Sequence, residues 1–500
     1  MRSHRRIVGE MIPRRFDLCV LGAGPAGYAA AMRALDLGKT VLLVERDRIG
    51  GAGIHAGALS SKTMWHLSND YALACRTDRG YVAQNIELSY AKVMESVQGA
   101  VAECHGILSH QIEQLITPRS GQESLLSFRL GSGRFLSPQA VEITDHSGQV
   151  SCIEADHFLI ATGSKPRLPE GIVVDGQRIV TSDQIERLSD FPKSMVIVGA
   201  GVVGCEYATI FANFQQTKIN IIDQQPRILP FEDEDIAQVI ASRFESMGIT
   251  IHRASKLSRM RVVDDQVEYV LCNDQGVCEP IRVERALISI GRVPSTADLN
   301  LAAAGVALSK SGGVVVEQTQ STTAPHIYAA GDTTTDIALV NVAELEGRHA
   351  VERMFGLHPE PIRYEALSSI MFLAPELAAV GINEQQARKL GIRYRVAVVQ
   401  NRLVNRAIAM RATAGFVKLL CTEDTGKILG LRVIGPQASS TAQGIAFLID
   451  HGGTLNDIDR CIHPHPAIPE AVQECARVLL GRSVHRTDVF GTDLIRCGAG

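Results

Sequence analysis

The chain has 500 residues, 45% of them apolar and 21% charged, which is enough for about three domains with buried cores and excludes wholesale disorder. Fifty basic side chains against 54 acidic ones leave a formal net charge of −4, so there is no cationic surplus for a polynucleotide or a polybasic membrane contact. One tryptophan and 5% aromatic residues argue equally against a base-stacking platform, and no nucleic-acid partner is expected.

No run of eighteen apolar residues occurs, so no integral membrane segment is expected, and the leading MRSHRRIVGEMIPRR lacks the apolar stretch of a secretory leader. The expected location is the cytoplasm. Eleven cysteines, an odd number without a CxxC pair, read as reduced thiols and not as a disulfide framework.

The first strong unit is Phe16–Glu45: an apolar strand (FDLCVL), the turn GAGPAG, a small-residue helix and a second strand (TVLLVE). About Asn69–Gln114 is predicted helical, and about Ser127–Asp156 carries short strands before FLIATGS returns to a buried-strand pattern. Near Ser194 the first grammar starts again with SMVIV, GAGVVG, a helix through about Phe214 and the strand KINIID ending at Asp223. ALISIG and HIYAAGD then repeat the earlier return, which makes the first domain discontinuous. From about Ala366 strand-like runs (FVKLL, ILGLRVIG) alternate with helices containing Ala442–Asp450 and Glu470–Leu480. The fold class is therefore α/β: two Rossmann-like dinucleotide-binding domains plus a C-terminal α+β domain. The expected boundaries are 1–165 and 291–365 for the discontinuous first domain, 166–290 for the second and 366–500 for the third.

In Gly22-Ala-Gly24-Pro-Ala-Gly27 the first glycine permits a tight turn, the second admits a pyrophosphate to the backbone, and the third lets helix and strand approach. Glu45 follows 18 residues after Gly27, where a carboxylate accepts hydrogen bonds from ribose hydroxyls. The second copy, Gly199-Ala-Gly201-Val-Val-Gly204, has Asp223 19 residues on. A chain holding two dinucleotides most economically passes a hydride between them. Asp223 welcomes a 2′-hydroxyl and repels a 2′-phosphate, a bias towards NAD(H) over NADP(H). Arg227 either softens that bias or is a solvated surface charge.

From FDLCVLGAGPAG to HPHPAIPE the chain resembles the FAD-dependent pyridine nucleotide-disulfide oxidoreductases. The matching pieces are GG(x)nSK at Gly50–Lys62, ATG at Ala161–Gly163, GAGVVGCE at Gly199–Glu206, GR(x)P at Gly291–Pro294 and YAAGD at Tyr328–Asp332. The resemblance implies FAD in the first fold, with Gly51, Lys62, Gly133, Thr162, Gly163 and Asp332 around it. It implies the nicotinamide nucleotide in the second fold, beside Glu206 and Gly291, and a homodimer formed through the C-terminal dimerisation domain.

One departure stands out. The family's loop after Gly50-Gly51 carries two cysteines separated by four residues, which form a redox disulfide against the flavin. Here Gly53 and Ala58 hold those positions, and neither can form a thiolate. The small residues are expected to leave space for a flat ring. Lys62 and Glu206 match the family's ion pair near the flavin N5, read either as electrostatic stabilisation of reduced flavin or as a bridge that merely orients two elements. His465 and Glu470 match its His-Pro…Glu dyad, read either as a proton donor or as an interface residue kept for packing. Cys461, His463 and His465 have poor ligand geometry, and no metal is expected. The expected activity is an FAD-dependent NAD(P)H oxidoreductase with a small-molecule, non-disulfide electron acceptor. Soluble pyridine-nucleotide transhydrogenases, whose loop and second fingerprint Ile54-His55 and Gly204–Ala208 resemble, come first. An NAD(P)H:quinone or similar acceptor reductase is the alternative, and a non-catalytic or redox-sensing flavoprotein subunit is a third reading.

Overall fold

Leu18, Cys19, Val20 and Leu21 are all buried, as a strand with parallel neighbours and both faces covered requires. In the computed structural model, which describes residues 15–118, 123–272, 278–334, 337–491 and 494–499, this strand (Arg15–Leu21) lies between Val41–Glu45 and the end of Val150–Ile160. Ile327–Ala329 adds on the far side of Val150–Ile160, so a strand from late in the chain completes the first sheet. Leu126–Ser137 and Val150–Ile160 run on beyond the parallel region and form an antiparallel meander with Ala140–Asp145. Helix Pro25–Asp36 presents Ala26, Ala30, Ala31 and Ala34 as a buried face. Its small residues allow near contact with helix Val340–Met354, where a Cβ on Gly347 would lie 2.2 Å from the Ala26 carbonyl oxygen. These elements belong to one unit: the chain up to Ser60, Gln98–Lys165 and Arg292–Ile362.

The second unit comprises Ser61–Val97, Pro166–Gly291 and Arg363–Gly500. Its parallel sheet has the order Thr250–His252, Lys218–Ile222, Ser194–Val198, Arg285–Ile288, Ile179–Thr181. A three-stranded meander (Lys256–Val263, Gln266–Cys272, Cys278–Val283) packs Met260, Val267 and Tyr269 against it. The C-terminal region is a six-stranded antiparallel sheet, with helices Ala438–Asp450 and Glu470–Leu480 contributing to its core. On this sheet Lys418 and Arg432 face each other across neighbouring strands. Both are buried and both reach the segment that opens helix Glu234–Ser246. Lys418 Nζ meets Asp233 at 2.8 Å, Asp235 at 3.0 Å and the Glu384 carboxylate, while Arg432 Nε donates to Glu232 at 2.8 Å.

Two expectations need correction. The helical stretch foreseen at Asn69–Gln114 is two helices, Leu59–Ala74 and Tyr90–Ile116, because the intervening chain adopts left-handed backbone at Gly80 (φ 81°) and Asn85 (φ 57°). The cysteines are not all reduced: Cys272 and Cys278 face each other in an antiparallel ladder with Cα atoms 4.3 Å apart, and their sulfurs are bonded. A cross-strand pair six residues apart has no CxxC signature. Among the described residues no helix is long and apolar enough to cross a membrane.

Candidate functional site

Each glycine of the first fingerprint has a distinct reason to be there. Gly22 has φ 106°, and a Cβ on it would lie 2.3 Å from the Ala161 carbonyl oxygen; a Cβ on Gly27 would lie 1.9 Å from the Gly22 oxygen. Gly24 differs: its backbone is extended (φ −72°, ψ −173°), and a Cβ there would meet nothing within 4 Å. The second fingerprint repeats this arrangement. Gly199 (φ 102°) and Gly204 would put a Cβ 2.4 and 2.0 Å from the oxygens of Ser289 and Gly199, whereas the Gly201 position is open. The protein's own packing accounts for the outer glycines. The bare middle one opens a helix N-terminus whose first N–H groups would suit a diphosphate. Both turns therefore fit a dinucleotide.

The two acidic residues are held alike. Glu45 accepts from the N–H of Ala23 at 2.7 Å and of Asp47 at 2.9 Å; Asp223 accepts from Ala200 at 2.6 Å and Gln225 at 2.8 Å. Arg227 Nη2 donates to the carbonyls of Pro230 and Glu232 at 3.1 and 3.0 Å, which holds its guanidinium against its own loop. It lines a cavity of about 360 Å³ together with Glu234, Glu245 and Arg253.

Thr162 donates to the Ser295 carbonyl at 2.9 Å, and Gly163 takes the left-handed conformation (φ 66°). Ser164 donates to Asp332 at 2.7 Å and accepts from Arg292 Nε at 2.8 Å, so the Asp332 carboxylate is tied to a cation through one hydroxyl. Gly133 lies on strand Leu126–Ser137, where a Cβ would be 2.7 Å from Leu21 Cδ2. Gly291 (φ 103°) accepts from the Arg167 N–H at 2.9 Å, and nothing lies near its missing Cβ.

Lys62 and Glu206, 144 residues apart in sequence, form an ion pair of 2.8 Å. Glu206 is 4% exposed on helix Val202–Phe214, and its other oxygen accepts from the Phe372 N–H at 3.0 Å. The Lys62 ammonium also lies 5.1 Å from the centre of the Phe372 ring, and the Trp65 ring meets Phe372 edge-on at 5.1 Å. Trp65 lies three residues from Lys62, a spacing that signals a shared helix face. The part of Phe372 leaves no local signal.

Gly51 has φ 51° and begins a short helix, Gly51–His55. No cysteine occurs from Gly51 to Lys62. The space expected at position 53 is already filled on the side a side chain would take, since a Cβ there would lie 2.8 Å from Pro25 Cγ and 3.6 Å from Val340 Cγ2. His55 bonds through Nε2 to the Ile49 carbonyl at 2.9 Å and packs edge-on against His105; burial pushes its imidazole below the ordinary 6.5. Elsewhere, Cys19 and Cys205 are free and fully buried. Burial pushes the Cys19 thiol up to about 12 and that of Cys205 higher still, so neither is a thiolate at neutral pH.

His465 Nδ1 bonds to Glu470 Oε1 at 2.7 Å, and Glu470 Oε2 accepts from the Ala467 N–H at 2.7 Å. Burial raises the Glu470 pKa, but the hydrogen bonds from His465 and Ala467 outweigh it and hold the carboxyl below its ordinary range. Because a carboxylate only accepts, Nδ1 carries the proton and Nε2 is left facing outward on a side chain 62% exposed. Three carboxylates, Asp233, Asp235 and Glu384, lie within 4.8 Å of one another, but the Lys418 ammonium already serves them as cation.

Two nucleotide-type turns, each with its acid, define a protein with two dinucleotide sites. Comparison with known proteins identifies which kind. The pattern of the Pyridine nucleotide-disulphide oxidoreductase family matches residues 16–347, and that of its dimerisation domain matches residues 367–476. The chain is 32% identical to the dihydrolipoyl dehydrogenase of Geobacillus stearothermophilus over 94% of this chain and 97% of that one. It is 29% identical to the Bacillus subtilis dihydrolipoyl dehydrogenase, over 94% and 99%. Among solved structures it superposes on LpdA from Mycobacterium tuberculosis with a TM-score of 0.84 and 27% identity, covering 93% of this chain and 99% of that one. The chain belongs to the pyridine nucleotide-disulphide oxidoreductase family. It is an FAD-dependent pyridine-nucleotide oxidoreductase, with FAD and NAD(H) as cofactors.

Proposed function

We propose that this protein is an NADH:acceptor oxidoreductase, cytoplasmic and homodimeric, whose electrons reach a small molecule without resting on a disulfide. The observation that carries this reading is the loop Gly51–Lys62, which holds no cysteine and whose Gly53 packs against Pro25. Cys19 and Cys205 are too deeply buried to substitute, and Cys272 and Cys278 are bonded across two antiparallel strands of the three-stranded meander.

FAD, when bound, supplies reversible storage of a hydride's two electrons. The protein's part is positional and electrostatic. Gly24 and Gly201 would leave their turns open to the two diphosphates, and Glu45 and Asp223, held by the N–H of Ala23 and Ala200, would accept from the ribose hydroxyls. Lys62 supplies a fixed positive charge, aimed by Glu206. His465, its ring held by Glu470, offers Nε2 for proton exchange.

The dyad favours an acceptor that takes protons as well as electrons. A quinone is of this kind: NADH, a proton and the quinone give NAD⁺ and the hydroquinone. A second reading, hydride exchange between two nicotinamide nucleotides, draws on the likeness of Gly204–Ala208 to the soluble transhydrogenases, but needs no proton donor and sits less well with Asp223.

Anaerobic reduction of the yellow protein by NADH, followed by challenge with quinones, thio-NAD⁺ and lipoamide, tests the proposal. Quinone turnover lost in His465→Ala supports the first reading. Reoxidation by thio-NAD⁺ alone supports the second, and appreciable lipoamide turnover contradicts both.

A further inference from the structure

We infer that Trp65, the single tryptophan of the chain, is a positioning residue that sets the Lys62–Glu206 ion pair through the Phe372–Leu373 backbone. The inference rests on the reading above that this pair faces the flavin.

The contacts form a closed ring. Helix Leu59–Ala74 places Lys62 and Trp65 on one face. The Trp65 indole N–H donates to the Leu373 carbonyl at 3.1 Å, and its ring meets that of Phe372 at 84°. The Phe372 N–H donates to Glu206 Oε1 at 3.0 Å, Glu206 Oε2 accepts from Lys62 at 2.8 Å, and the Lys62 ammonium returns to the Phe372 ring. Because Glu206 is 4% exposed, water contributes little to orienting its carboxylate, and the direction of that group follows its protein donors. Trp65 locks the segment carrying one of those donors.

The test is a double-mutant cycle on the holoprotein, read as the equilibrium between oxidised and NADH-reduced flavin in the visible spectrum. Trp65→Phe keeps a ring and removes the donor. It is expected to shift the equilibrium roughly three- to tenfold towards oxidised flavin, tenfold being about 30 mV for a two-electron couple. Glu206→Gln removes the counter-charge and shifts it towards reduced flavin. In the Glu206→Gln background Trp65→Phe should have no further effect, since no carboxylate is left to aim. Phe244→Leu, a core change in the same unit outside the ring of contacts, should lower Tm and leave the equilibrium alone.

Equal shifts by Trp65→Phe in both backgrounds, or none in either while Glu206→Gln still shifts it, would overturn the inference and leave the reading of the site intact. No shift from Glu206→Gln would instead remove the pair from the flavin. Should Trp65→Phe fail to fold, the emission of Trp65 decides: Glu206→Gln is expected to change its intensity or maximum in the oxidised holoprotein, and an unchanged spectrum would sink the inference.

Discussion

At Gly24 and Gly201 the backbone is one that any residue adopts and the space beyond is open. Gly24→Ala is therefore expected to stabilise the apoprotein slightly, by about 0.5 kcal/mol through a less flexible unfolded chain, while reducing bound FAD. Gly27→Ala, which would force a Cβ within 1.9 Å of a carbonyl oxygen, should cost about 2 kcal/mol or more. Denaturant titration of the apoprotein and flavin absorbance of the purified protein separate the two outcomes. Asp223→Asn should lower the preference for NADH over NADPH by about tenfold, close to one charge-assisted hydrogen bond of about 1.5 kcal/mol, measured as the ratio of flavin-reduction rates. These residues were legible in the sequence because fingerprint and acid lie within one strand–helix–strand unit. The Phe372 amide was not, since its bond to Glu206 spans 166 residues and a backbone donor has no residue type to give it away.

Among the secondary-structure elements, the short helix Gly51–His55 and the strand carrying Lys418 make opposite demands. Gly53→Ala gains helix propensity of up to about 1 kcal/mol but presses on the Pro25 ring, so it should destabilise the protein by about 1 kcal/mol net. Re-creating the family's cysteines at 53 and 58 should for the same reason fail to restore lipoamide turnover unless Pro25 shifts. Lys418→Met leaves three carboxylates without their central cation and should cost about 3–5 kcal/mol in chemical denaturation. The pH dependence of this network has a defined sign. Burial raises the Asp233 pKa, but Lys418 and the backbone donors outweigh it, so the folded value lies below the ordinary 3.8. Its contribution is full above 3.8 and lost as pH falls through the lower folded value. Burial lowers the Lys418 pKa, but its carboxylates raise it above 10.5, so its share is full below 10.5 and lost only as pH rises past the folded value. The element types were readable from periodicity. The break at 75–89 and the Cys272–Cys278 bond were not, because both depend on how the chain turns and not on apolar spacing.

At the scale of the whole molecule, the C-terminal region leaves Phe447 61% exposed and Ile462 fully exposed, in a chain whose dimerisation-domain match spans 367–476. Ile462→Asp should move the native mass from twice 54.0 kDa towards 54.0 kDa in light scattering, with loss of turnover if His465 works in a partner's site. The pairing of Lys418 and Arg432 with buried carboxylates was not legible in the sequence, since a cation in a strand reads as an outward-facing residue. The glycines of the twin turns obey the same steric rules at the same spacing, and each acid is latched to the same backbone position, so neither socket can tell a flavin from a nicotinamide by its phosphate end. Discrimination between the two coenzymes must reside where they differ, at their ring ends, and grafting one turn sequence onto the other should leave coenzyme identity unchanged.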